Sequence, residues 1–149
     1  MSRSILLLGT RNKSRSIMAE AYINHVSDGR WRAHSAGSAP ADRVHPMALK
    51  VLTEAGIELP ASLQPKGREV FAGPSAPPMD FIVSLCEEVA DEQLLEWPGS
   101  PRLLHWPMPD PTAAVLPASD RDEVFRAVLD LIQERADLFL AGEAERRVI

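Results

Sequence analysis

Ile5-Leu6-Leu7-Leu8-Gly9-Thr10-Arg11-Asn12-Lys13-Ser14-Arg15-Ser16 is the stretch on which the reading of this chain turns. Four consecutive apolar residues running into a turn-like segment have the pattern of a short strand buried on both faces. Beyond it, Ile17, Met18, Ala21, Tyr22 and His25 fall at helical spacing, and the pattern stops at Ser27-Asp28-Gly29. A strand that turns directly into a helix brings unpaired backbone N–H groups to one point, and Arg11, Lys13 and Arg15 concentrate positive charge there. Residues 9–16 therefore predict a loop that receives a tetrahedral oxyanion. Within it, the planar fork of Arg15 suits two oxygens at once. Asn12 suits a left-handed backbone position, and Ser16 can hydrogen-bond whatever occupies the loop floor.

Outward from this loop, strand-like and helix-like segments alternate. Trp31 to Ala36 reads as a second strand, ending in the turn-rich Gly37-Ser38-Ala39-Pro40. A helix is expected from Pro46, a favourable first-turn proline, to a close at Gly56. Five prolines between Leu59 and Pro78 leave that stretch without a regular pattern. Phe81 to Cys86 is the clearest buried strand after the first, and a helix is expected over Glu87 to Trp97, stopped by Pro98-Gly99. Arg102 to Trp106 is a further strand candidate, followed by the loop Pro107-Met108-Pro109-Asp110-Pro111. Phe125, Val128, Leu129, Ile132, Ala136 and Phe139 form the apolar stripe of a final helix, with Ser119 or Asp120 as its cap. Alternation of this kind predicts a parallel sheet covered by helices on both faces, with ligands at the carboxyl ends of the strands, where Gly9 lies.

A length of 149 residues, 45% of them hydrophobic, predicts a single domain over residues 1–149 with a sizeable core. The net charge of −5 argues against general attraction to nucleic acid or to an anionic membrane, so the basic loop is a local exception. No apolar run approaches the roughly 18 residues that span a bilayer, and no secretion-signal pattern opens the sequence; a cytoplasmic protein is expected. Cys86 is the only cysteine, which excludes an intramolecular disulfide and a cysteine-rich metal site. His25, His34, His45 and His105 show no metal-ligand spacing, so the expected site uses neither metal nor cofactor.

Two other readings of the loop compete. The nucleotide-binding pattern Gly-x-x-x-x-Gly-Lys-Ser/Thr is suggested by Gly9, Lys13 and Ser14, but its second glycine and its Gly-Lys-Ser/Thr order are missing. A solvated basic turn without ligand is the plain alternative.

A wider set of motifs bears on the choice. Asn12, Arg15-Ser16 and Met18-Ala19-Glu20, then His34-Ser35-Ala36-Gly37, Pro40, Val44-His45-Pro46, Gly56-Ile57, Asp80 to Cys86, His105-Trp106 and Asp110-Pro111 follow one another in an order that resembles the low-molecular-weight protein tyrosine phosphatase and arsenate reductase family. The resemblance covers most of the chain. It implies a three-layer α/β/α sandwich with a four-stranded parallel sheet, and a loop that envelops phosphate. The family loop runs Cys, five residues, Arg, Ser; here Gly9 stands in the place of the cysteine. The resemblance also implies that Asp110 is the general acid that protonates the leaving oxygen. A carboxyl group in a Pro-flanked loop beside an oxyanion is expected to favour its protonated form, in keeping with that role. Pro111-Thr112-Ala113 after Asp110 is closer to the arsenate reductase branch than to the phosphotyrosine enzymes, which carry aromatic residues there.

In the family a low-pKa thiolate attacks phosphorus or arsenic. Glycine offers no such group. Thr10, Ser14 and Ser16 are nearby hydroxyls with no evident base beside them. Cys86 matches the second cysteine of thioredoxin-coupled arsenate reductases, but the chain has no first or third partner for a three-thiol relay. As a strand-end cysteine it also reads as a small buried hydrophobe. The expected site is thus Arg15 and Asp110 in the catalytic positions and Gly9, Thr10, Arg11, Asn12, Lys13, Ser14, Arg15 and Ser16 as the oxyanion loop. Phosphate, arsenate or a phosphorylated small molecule or protein is the expected partner, and a phosphate-binding pseudoenzyme the expected function. An active phosphatase or arsenate reductase that bypasses Gly9, and a non-catalytic interaction module, are the alternatives.

Overall fold

A computed structural model describes residues 2–61, 63–86, 97–113 and 116–148. The first apolar run forms strand β1 (Arg3–Gly9), and three further strands pair with it or beyond it: β2 (Trp31–Gly37), β3 (Phe81–Ser84) and β4 (Arg102–His105). All pairings are parallel, in the order β2-β1-β3-β4. β1 is thus central, with Leu7 set between Ser35 and Val83 in register. That position explains its unbroken apolar sequence. Ile5 and Leu7 face one layer and Leu6 and Leu8 the other, all of them buried. Each fully buried side chain of this size contributes roughly 1.5–3 kcal/mol.

Helices α1 (Arg15–Ser27), α2 (Pro46–Glu54) and α3 (Ala118–Val148) pack on the Ile5/Leu7 face. On the opposite face, Leu6, Leu8 and Ile82 meet Phe71 of a short 3-10 turn (Arg68–Phe71), Met79, Cys86 and Trp97. The helix expected over 87–97 falls, apart from Trp97, outside the described residues. Asp80 ties the start of β3 to β1: its amide donates to the Ser4 carbonyl at 3.0 Å, and the Ser4 amide donates to its carboxylate at 2.7 Å.

Several expectations are corrected in detail. Strand β3 stops at Ser84, two residues before Cys86, and β4 stops at His105, although the Leu85 and Trp106 amides still bond to the carbonyls of Leu8 and Ser84. The final helix begins at Ala118, with the Pro117 carbonyl accepting from the Arg121 amide at 3.0 Å; Ser119 and Asp120 lie inside its first turn and do not cap it. Helix α1 is buried along Ser16 to Ile23, polar residues included, because it lies between the sheet and the other two helices. A one-sided apolar stripe is therefore too narrow a description of it. Within α1, Glu20 is 4% exposed and accepts a hydrogen bond from the Ser35 hydroxyl at 2.5 Å. Burial pushes the Glu20 carboxyl up despite that bond and the nearby Lys66 charge.

Candidate functional site

At the carboxyl end of β1 the backbone wraps a cup of about 30 Å³ lined by Gly9, Thr10, Arg11, Asn12, Lys13, Ser14, Arg15, Ser16 and Asp110. Its shape is held from outside. The carbonyls of Thr10, Arg11 and Lys13 accept from the amides of Ala39, Ala41 and His45 at 2.9, 2.8 and 2.9 Å. In a planar trans peptide the next residue's N–H points opposite to the carbonyl. The amides of Arg11, Asn12 and Ser14 are consequently turned away from this collar. Helix α1 starts at Arg15, so its first amides have no intrahelical acceptor either. Donors converge on the cup from consecutive residues, the arrangement that favours an anion.

Asn12 supplies the tight bend. Its φ is +51°, as its residue type suggested, and its side chain is buried. The Asn12 Nδ2 donates to Ser16 Oγ at 2.8 Å, while its Oδ1 accepts from the Lys66 amide at 2.8 Å. Lys66 in turn accepts from the Gly37 amide at 2.9 Å. Gly37 permits all of this by lacking a side chain. A Cβ there would stand 2.5 Å from the Thr10 carbonyl oxygen and 3.1 Å from the Asn12 nitrogen.

Arg15 lies across the cup mouth with its side chain 15% exposed. One nitrogen, Nη1, donates to the Met108 carbonyl at 3.1 Å, and Nη2 stands 3.9 Å from Asp110 Oδ2. Asp110 is itself fixed by Thr112, whose amide and hydroxyl donate to Oδ1 at 2.8 and 2.7 Å. Burial alone would raise the Asp110 carboxyl, but the two Thr112 hydrogen bonds and the charges of Arg15 and Lys13 outweigh it, so it titrates below the ordinary carboxylate value. The expected preference for the protonated form is thus reversed by Thr112, Arg15 and Lys13. An anion seated in the cup would offset the two cations and push the carboxyl back up.

The structure thus brings together every residue expected at the site. Sequence reasoning missed the collar of residues 37–45 and 66, whose contributions are mostly backbone; the run of turn residues after Gly37 was the available signal. His45 also belongs to the surroundings: its Nδ1 accepts from the Met47 amide at 3.1 Å, its ring packs 4.8 Å from Phe125, and burial together with Lys13 and Arg121 lowers its pKa. Trp106 packs in the core against Phe139, and the exposed His105 bonds to Ser84 Oγ at 2.7 Å; neither lines the cup. Cys86 is buried, with Sγ 3.4 Å from Thr10 Oγ1. Among the described residues no cluster of metal-ligating side chains occurs, and no helix is long and apolar enough to cross a membrane.

A sequence profile described as low molecular weight phosphotyrosine protein phosphatase matches residues 4–147. The chain belongs to that family. Among its relatives is an arsenate reductase of Shouchella clausii (strain KSM-K16), 32% identical over 140 residues that span 93% of this chain and 96% of that protein. A solved arsenate reductase in the phosphate binding state superposes on this low molecular weight phosphatase family member with a TM-score of 0.67 at 25% identity, covering 95% of this chain and 98% of the other. A low molecular weight phosphotyrosine phosphatase of Vibrio cholerae O395 shares the fold, with a TM-score of 0.76 at 20% identity and coverage of 97% and 99%.

Proposed function

We propose that residues 1–149 form a single domain that binds phosphate, arsenate or a phosphorylated small molecule or protein in the cup of residues 9–16, in the cytoplasm, and that Gly9 stands where the family's nucleophilic cysteine would be, making the chain a phosphate-binding pseudoenzyme. The observation that carries this reading is the coexistence of an intact cup with a bare floor. Arg15 and Asp110 face each other across the mouth, yet Gly9 at its base presents no atom that can attack. Loss of the nucleophile in another covalent enzyme class costs on the order of a millionfold in turnover. Binding is under no such penalty, because the amides and Arg15 supply it.

The test is aryl phosphate hydrolysis by the chain as it stands and by Gly9→Cys. Among the described residues a Cβ at Gly9 would meet only Ser16, with Oγ at 3.2 Å, so a cysteine fits with a small adjustment. An inert parent and a Gly9→Cys variant faster by orders of magnitude is the expected result; an active parent defeats the pseudoenzyme reading.

One observation favours a second reading. The Cys86 thiol lies 3.4 Å from Thr10 of the loop, and this favours an active reductase that bypasses Gly9, in which Cys86 and an external small thiol together supply the two electrons and end as a mixed disulfide. Under it, arsenate reduction by the parent is lost in Cys86→Ser. A parent that binds no oxyanion points to a non-catalytic interaction module working through another surface.

A further inference from the structure

The floor beneath Gly9 has a chemistry of its own. A Cβ at this position would find Ser16 Oγ at 3.2 Å, Ser16 Cβ at 3.6 Å and, among the described residues, no other heavy atom within 4 Å beyond its chain neighbours. This is a small volume open to the cup, with one polar atom at its edge. Ser16 is 1% exposed and its oxygen accepts from Asn12 Nδ2, while the Asn12 oxygen is committed to the Lys66 amide. The hydroxyl proton of Ser16 is therefore left to point elsewhere. Ser14, also in the cup lining, reinforces the point. It precedes α1 in the N-cap position, where a serine ordinarily bonds to the helix amides, yet it makes no such bond; Ser14 Oγ is buried and without a partner among the described residues. A buried unpaired hydroxyl carries a free-energy cost unless a guest satisfies it.

We propose that the space beneath Gly9 is a subsite for the fourth oxygen of a free tetrahedral oxyanion, with Ser16 Oγ as its donor and Ser14 Oγ as a further hydroxyl of the cup. This rests on the reading of the loop as an anion receptor and narrows its ligand. A side chain at the floor would fill this space. With glycine the anion settles deeper, enclosing four oxygens. A monoester, whose bridging oxygen carries a bulky group, or a phosphonate, which has only three oxygens, leaves one position unfilled. The preferred ligand is inorganic phosphate or arsenate itself, and the chain is a receptor of the free anion in preference to its esters.

The probe pair is inorganic phosphate and methylphosphonate, titrated by calorimetry at a pH where both are dianions. One charge-assisted hydrogen bond corresponds to a preference for phosphate of about tenfold or more in the parent. Gly9→Ala, whose methyl group enters the floor, is expected to bring the two affinities together while methylphosphonate binding persists. Ser16→Ala provides the same readout without adding bulk, and thermal melting verifies that each variant is folded. Equal affinities in the parent, or a preference unchanged by both substitutions, would overturn the subsite and leave the receptor reading intact. A parent that binds neither anion would instead overturn the receptor reading.

Discussion

Two hollows at opposite ends of the sheet differ in size and in the company their arginines keep. The larger, about 380 Å³, lies at the amino end of β1 and is bordered by Arg3, Arg30, Trp31, Asp137 and Glu143. The cup of residues 9–16 is about 30 Å³. Volume alone favours the first, which follows the usual rule for small-molecule sites. Charge reverses the choice. Arg3 is paired with Glu143 at 2.7 Å and lies over Trp31 at 4.9 Å, and Arg30 donates to the Ser27 carbonyl at 3.1 Å. Those cations are structural. In the cup, Arg15 has Asp110 only at 3.9 Å, and no carboxylate of the described residues stands within 4 Å of Arg11 or Lys13. Three cations that share one carboxylate beside the loop amides attract an anion, whereas arginines tied to a carboxylate and a carbonyl brace the fold.

The contrast can be broken at several points. Gly37→Ala is expected to have the largest effect, because its methyl group would collide with the Thr10 carbonyl that the collar holds. Overpacking of this kind costs about 1–3 kcal/mol, and phosphate binding should fall below detection by calorimetry even where the melting curve remains cooperative. Next comes Arg3→Ala, which removes the Arg3–Glu143 ion pair and the packing of Arg3 on Trp31. A loss of about 1–3 kcal/mol in denaturant unfolding is expected, since the pair is partly exposed, with phosphate affinity unchanged. A drop in affinity would show that the two ends are coupled.

Asp110→Asn acts in the opposite direction. The carboxylate is ionised near neutrality, since its pKa is held down, and it repels a bound dianion; the variant should bind phosphate a few-fold more tightly. The smallest effect concerns Glu20. Its folded-state pKa is raised by burial, so the folded chain holds this proton more firmly than the unfolded chain does. The associated stability is present at low pH and is lost as pH rises through the folded value. Glu20→Gln retains an acceptor for Ser35 and should melt slightly higher than the parent at neutral pH, the difference vanishing in acid.

Much of this was legible from residues. The run Ile5 to Leu8 required a doubly covered strand, and the turn into Ile17-Met18 required a helix, which together place the loop. Asn12 announced its left-handed backbone in the same way. What escaped was carried by long-range backbone bonds. Nothing in the side chains of Ala39 or Ala41 reports that their amides hold the loop carbonyls. The Asp110 ionisation escaped for a related reason: Thr112, read as a mark of lineage, proved to be the donor that holds the carboxylate. Cys86 was placed at a strand end; its Thr10 contact depended on how β1 and β3 align.

The central claim is that the small cup, and not the larger hollow, receives a tetrahedral oxyanion. Calorimetric titration of inorganic phosphate against the parent, Arg15→Ala and Arg3→Ala tests it most directly. The account predicts saturable binding by the parent, a loss of about ten- to a hundredfold in Arg15→Ala from the missing charge-assisted bonds, and no change in Arg3→Ala. Binding that survives Arg15→Ala undiminished, or that disappears with Arg3→Ala in a folded protein, would contradict it.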